Sequence, residues 1–95
     1  MEAAAPRRRV LIVDNSADLA ESLGMIVGMD AGLEYVGYTV TGREAVAKAA
    51  AGQVDVMVLD LGLDDCSGFD VLDRLRERGA QVKVIMHTGY ALQEL

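Results

Sequence analysis

The sequence predicts an α/β domain in which helices wind over both faces of a parallel sheet, and three observations carry that reading. Short apolar runs, Val10-Leu11-Ile12-Val13, Val54-Asp55-Val56-Met57-Val58-Leu59 and Val82-Lys83-Val84-Ile85-Met86-His87, alternate with stretches of helical periodicity. Runs with little polar alternation suit central strands covered on both faces. Each run delivers a polar residue, Asp14, Asp60 or Thr88, and ligands of open parallel sheets gather just beyond such carboxyl ends.

Residues 10–13 form the first strand. Asn15 and Ser16 follow with side chains suited to capping a helix. Leu19, Leu23, Ile26 and Val27 recur at helical spacing, so a helix with one apolar stripe is expected over about 17–29. Gly32 stops it. Tyr35-Val36-Gly37-Tyr38-Thr39-Val40 forms the second strand, weakened by its glycine. Thr41-Gly42-Arg43-Glu44 has the form of a capping box, and an alanine-rich helix over 44–51 ends at Gly52. Residues 54–59 form the third strand. Ser67 and Asp70 repeat the box and open a third helix, with Phe69, Leu72 and Leu75 on its buried face and Gly79 at its end. Residues 82–87 form the fourth strand, and 91–95 read as the opening of a fourth helix. The order is βαβαβαβ, with right-handed connections between parallel strands.

A chain of 95 residues holds one domain. With 52% apolar and 25% charged residues it has a globular rather than a disordered composition. Aromatics are scarce (Tyr35, Tyr38, Phe69, Tyr90), so the core must be aliphatic, with Met25, Met29, Met57 and Met86 as filler. A net charge of −6, with basic residues scattered apart from Arg7-Arg8-Arg9, argues against direct nucleic-acid binding. The arginine triplet reads as a solvated flank, and residues 1–9 as flexible. The single cysteine, Cys66, excludes an internal disulfide, fits a reducing compartment and reads as a loop thiol. No apolar stretch is long enough to span a bilayer, and the N-terminus lacks a signal-peptide core. The expected location is the cytoplasm, with no membrane partner.

Three strand ends thus bring two carboxylates and a hydroxyl to one edge, which suits a hard cation and a phosphoryl group. Mg²⁺ takes six oxygens and keeps several waters. Asp60 and Asp14 can supply carboxylate oxygens, and Gly62 a backbone carbonyl. A carboxylate held against Mg²⁺ is also a phosphoryl acceptor, because the cation neutralises the incoming charge. The Thr88 hydroxyl and the N–H groups after it would bind the phosphoryl oxygens. The competing reading is that an acidic residue after a strand only forms a turn or caps a helix. His87, a lone histidine at a strand end, reads as structural or solvated.

Leu11-Ile12-Val13-Asp14, Asp55-Val56-Met57-Val58-Leu59-Asp60-Leu61, Gly68-Phe69-Asp70-Val71-Leu72 and Val84-Ile85-Met86-His87-Thr88-Gly89 resemble the receiver domain of two-component response regulators in order and spacing. The resemblance runs from Val10 onward. It implies a flavodoxin-like, doubly wound sheet of strand order 2-1-3-4. It further implies that Asp60 is the phospho-acceptor, that Asp14 belongs to the acidic pair that positions Mg²⁺, and that Gly62 offers its carbonyl to the ion. Thr88 matches the switch hydroxyl, and Gly89 the small residue after it.

Three departures stand out. Asn15 replaces the second acid of the pair, so the amide brings a coordinating oxygen without charge and Mg²⁺ affinity should fall. Asp64, beside Asp65, replaces the usual loop proline; the two read as a solvated acidic loop, with cation recruitment as the competing reading. The family's fourth helix, fifth strand and fifth helix have no counterpart in residues 1–95, which therefore read as a C-terminally truncated receiver domain. Lys48 and Lys83 do not match the lysine of that fifth strand, and Tyr90 does not match its aromatic.

The expected function is acceptance of a phosphoryl group on Asp60 from a histidine kinase or phosphotransfer protein, relayed by a change in partner binding. The chain would not be an enzyme beyond its own phosphorylation and dephosphorylation. The alternative is a pseudo-receiver that binds proteins with weak or no phosphorylation. An aspartate-phosphate phosphatase would want its nucleophile on the first strand and a second acid two residues on, where this chain has Asp14 and Ser16. A flavin domain would want a Gly/Ser/Thr cradle after that strand. Self-association or element exchange through the fourth strand is expected, because no fifth strand covers its edge.

Overall fold

The computed structural model describes residues 6–87. The chain runs β1 (Arg8–Val13), α1 (Ala17–Gly28), β2 (Leu33–Thr39), α2 (Gly42–Ala50), β3 (Val56–Asp60), α3 (Gly68–Glu77) and β4 (Lys83–His87). All strand pairings are parallel and the sheet order is β2-β1-β3-β4. This is the flavodoxin-like arrangement expected from the sequence. The proposed fourth-helix opening at 91–95, with Thr88, Gly89 and Tyr90, lies outside the described residues.

Strand alternation divides the core between two faces. Leu11, Val13, Met57 and Leu59 pack with Ala45, Val46 and Ala49 of α2 and with Val71 and Leu75 of α3. Val10, Ile12 and Val56 face the other way and meet Ala20 of α1, flanked by Leu23, Val27 and Tyr35. Both parities of β1 are therefore buried, which is why its sequence is continuously apolar. Fully burying each Val, Leu or Ile contributes about 1.5–3 kcal/mol against the entropy of ordering the chain.

The apolar stripe expected on α1 is rotated in the structure. Ala20 and Gly24 are its buried residues, whereas Leu19 is exposed and Ile26 is 64% exposed. The cause lies opposite: the Tyr35 ring lies so close to Gly24 that a Cβ there would overlap it, so the helix seats on its smallest residues. Met25 and Met29 are exposed, not core filler, while Met57 is fully buried. On α3 the buried residues are Gly68, Val71 and Leu75; Phe69, expected inside, is 59% exposed. Its position follows Gly68, whose own contacts with the β3 end fix the face that turns inward.

Helix ends follow the capping chemistry of the sequence, with one correction. Ser67 and Asp70 form the full reciprocal box. At Thr41 only half forms: its hydroxyl accepts from the Glu44 N–H at 3.3 Å. The remaining α2 donors turn instead to Asp65, whose carboxylate accepts from Gly42 N–H at 2.8 Å and Arg43 N–H at 3.1 Å. Asp65 is thus a cap delivered from another loop rather than a merely solvated acid, and these N–H donors hold its carboxyl below the usual range. α1 stops at Met29, before Gly32, and Gly32 donates to Asp30 Oδ1 at 2.7 Å in the following turn.

Two strands differ from expectation for physical reasons. β2 begins at Leu33 and keeps its glycine through a bulge: Val10 pairs with Tyr35, Leu11 with Gly37, and Val36 is the extra residue. Gly37 takes φ +117°, which the bulge requires and other residues rarely adopt. β1 begins at Arg8, so part of the arginine triplet is built into the sheet. Arg9 donates through Nε and a terminal nitrogen to Asp55, both at 3.0 Å, and its N–H reaches the same carboxylate at 2.8 Å. The guanidinium pulls the Asp55 pKa down to about 2.

Candidate functional site

The carboxyl ends of β1, β3 and β4 meet at one corner, and register decides what is presented there. Val13 pairs with Leu59, and Asp60 pairs with His87. Positions 10, 12 and 14 of the first strand path, 56, 58 and 60 of β3, and 85 and 87 of β4 then share one face. Asp14, Asp60 and His87 accordingly converge: one donor atom from each lies within 4.8 Å of the others.

Asp14 is 2% exposed. Its N–H continues the ladder to Thr39 carbonyl at 3.1 Å, and its Oδ1 accepts from Ser16 N–H at 2.8 Å, which turns the chain into α1. Its Oδ2 stands 3.1 Å from His87 Nε2. That approach is close without the N–H alignment of a hydrogen bond, and neither atom has such a partner among the described residues. Asp60 is 8% exposed, and its Oδ1 accepts from Gly62 N–H at 3.3 Å. Each aspartate therefore spends one oxygen on its own turn. Turn formation thus accounts for half of each carboxylate.

The loop after β3 is pinned so that Asp60 stays at this edge. Leu61 N–H donates to His87 carbonyl at 3.1 Å, Gly68 N–H to Leu61 carbonyl at 2.8 Å, and Leu63 N–H to Cys66 carbonyl at 3.2 Å. Gly62 and Ser67 sit opposite each other in an isolated antiparallel bridge, and neither of its bonds uses the Gly62 carbonyl. Asn15 is exposed. Thr88 lies outside the described residues. Lys83 pairs with Val56 at the far end of the strand pair, and a four-residue offset along a strand is roughly 13 Å.

His87, not among the candidate site residues read from the sequence, stands at the same corner. The sequence reads it as structural or solvated; the side chain is half-buried and lies against Asp14, with Asp60 nearby. Its direction follows from the pairing of His87 with Asp60, a register that alternation within residues 82–87 does not supply. Cys66, the expected loop thiol, is half-buried, and burial pushes its thiol pKa up, so it is no ready nucleophile. A divalent cation fits the donor set at the corner, because a buried carboxylate oxygen without a partner stands beside a second carboxylate.

The model of the response regulator receiver domain matches residues 10–95. The chain belongs to the response regulator receiver family. The receiver is 39% identical over 84 residues to the probable transcriptional regulatory protein TcrX of Mycobacterium tuberculosis, covering 84% of this chain and 33% of that protein. It is 36% identical over 80 residues to a protein-glutamate methylesterase/protein-glutamine glutaminase of Syntrophomonas wolfei, covering 84% of this chain and 23% of that one. The chain thus spans a third or less of the length of these curated relatives. Among solved structures, the response regulator domain of Thermotoga maritima CheB superposes with a TM-score of 0.80 at 30% identity, over 93% of this chain and 69% of that one.

Proposed function

We propose that Asp60 accepts a phosphoryl group from a histidine kinase or phosphotransfer protein and that the phosphorylated receiver changes which partners it binds. The observation that carries this reading is the placement of Asp60 at the carboxyl end of β3, buried at the corner it shares with Asp14. In the transfer, an Asp60 oxygen forms the new bond to phosphorus as the bond to the donor nitrogen breaks, and the donor imidazole takes up a proton. Asp14, Asp60 and the Gly62 carbonyl would hold Mg²⁺. When bound, the ion neutralises charge between the carboxylate and the incoming phosphoryl oxygens. The turn bonds from Ser16 and Gly62 fix one oxygen of each aspartate and leave the other to ion or phosphorus. Thr88, the next residue after β4, is proposed as the switch hydroxyl.

The receiver acts as a signalling component and catalyses at most its own phosphorylation and dephosphorylation. Methylesterase and transcriptional activities in the names of its relatives belong to those longer proteins. Among the described residues no helix is long and apolar enough to cross a membrane, and we place the domain in the cytoplasm with protein partners. A second reading, a protein-binding pseudo-receiver, is favoured by Asn15, which removes one negative charge beside Asp14. Incubation with acetyl phosphate and Mg²⁺, followed by intact-mass measurement, separates the two. A single added phosphoryl group supports the receiver reading, and an unmodified mass supports the pseudo-receiver.

A further inference from the structure

His87 is the one histidine of the chain, and the register of β3 and β4 sets it at the carboxylate corner. Asp14 Oδ2 and His87 Nε2 lie 3.1 Å apart, with neither satisfied by a hydrogen bond among the described residues. The two atoms form an ion pair when the imidazole carries a proton, and with an unprotonated Nε2 the facing lone pairs in this buried corner are costly unless a cation joins them. Two ligands of one ion, each about 2.0–2.1 Å from it, stand roughly 2.9–3.4 Å apart. The observed spacing matches such an edge, and an Asp60 oxygen supplies a third donor within 4.8 Å.

The donor chemistry then selects the ion. Mg²⁺ takes oxygen ligands and gives up water reluctantly, whereas imidazole suits Zn²⁺, Ni²⁺ and neighbouring first-row ions. The charge that would favour a hard cation is diminished at Asn15, where an amide stands in place of an acid. We infer that Asp14, Asp60 and His87 form a mixed nitrogen–oxygen site that takes a divalent transition-metal ion of the Zn²⁺ and Co²⁺ class in preference to Mg²⁺. Three protein ligands leave coordination positions open, and phosphoryl oxygens can occupy them. The inference rests on the proposed cation site at Asp14 and Asp60, and names its ion.

The test titrates the metal-free 95-residue chain with Co²⁺ and with Mg²⁺. Visible d–d absorption and the NMR signals of the single imidazole report binding. Co²⁺ is expected to give visible bands, and diamagnetic Zn²⁺, titrated alongside, to shift the His87 Nε2 nitrogen resonance as direct coordination does, with Mg²⁺ binding more weakly and giving no such coordination shift. His87→Gln should weaken Co²⁺ binding at least about tenfold, change Mg²⁺ binding by less, and keep the circular dichroism of the fold. Cys66→Ala should leave Co²⁺ binding as it was. An unshifted Nε2 resonance at saturating Zn²⁺, equal Co²⁺ affinity in His87→Gln, or a thiolate charge-transfer band lost in Cys66→Ala would each overturn the inference. The Nε2 shift with Zn²⁺ decides the matter in the unsubstituted chain even where a variant does not fold. If Mg²⁺ binding requires Asp60 while Co²⁺ ignores His87, the inference fails alone. If Asp60→Asn alters neither titration, the cation site itself fails.

Discussion

At Asp14 the two carboxylate oxygens have separate tasks: Oδ1 holds the turn into α1, and Oδ2 faces the corner without a hydrogen-bond partner. The sequence made the convergence of Asp14 and Asp60 legible because both follow apolar runs of parallel strands, where register leaves little freedom. It did not reveal His87, since a lone histidine carries no pattern and its direction depends on pairing with Asp60. The missing charge at Asn15 can be restored. Asn15→Asp is expected to tighten Mg²⁺ binding, because ligand charge tunes affinity; an unchanged or weaker isothermal titration would contradict the assigned geometry. A second prediction concerns acid. Arg9 depresses the Asp55 pKa from 3.8 to about 2, so the charged pair adds stability above pH 3.8 that is lost as pH falls through about 2. Both side chains are more than a third exposed, so the effect is small and screened by salt. Thermal melts of Asp55→Asn should run below the unsubstituted chain near neutrality and converge with it toward the lower pH. A constant gap would contradict this.

Among the elements, α3 shows most plainly how packing supports the site. A Cβ on Gly68 would lie 2.8 Å from the Asp60 carbonyl oxygen and 3.1 Å from Leu61 Cα, both backbone atoms with little room to yield. Gly68→Ala is therefore expected to destabilise the fold by about 1–3 kcal/mol, read as a lower urea midpoint, and to slow phosphorylation by displacing the end of β3. A midpoint equal to that of the unsubstituted chain would show that α3 can move away freely. Element existence and order were legible from periodicity and caps. Faces of α1 and α3 were not, because Leu19, Ile26 and Phe69 fit the apolar spacing while the close approaches at Gly24 and Gly68 set the rotation. Nor was the cap from Asp65, since the loop that delivers it is 22 or more residues away from α2.

Over the whole molecule, one edge of the sheet stands out. β4 pairs only with β3 among the described strands, and Ile85 on it is 53% exposed. Ile26 and Leu19 are exposed on α1, which packs against the face of the sheet to which Ile85 belongs by strand alternation. Among the described residues β4 pairs on one side only, and a largely apolar edge of that kind invites pairing with another chain. The 95-residue chain is expected to self-associate, with an apparent mass that falls on dilution in sedimentation velocity. A well-folded monomer throughout the micromolar range would contradict that expectation. The place of the fourth strand beside the third was legible through the 2-1-3-4 order that the family resemblance implies.

The central claim is that Asp60 carries the phosphoryl group, and peptide mapping after phosphodonor treatment tests it most directly. The account predicts one modified peptide, containing Asp60, whose label is released by neutral hydroxylamine as an acyl phosphate is, and no label in Asp60→Asn. Label on another peptide, or label retained in Asp60→Asn, would contradict it.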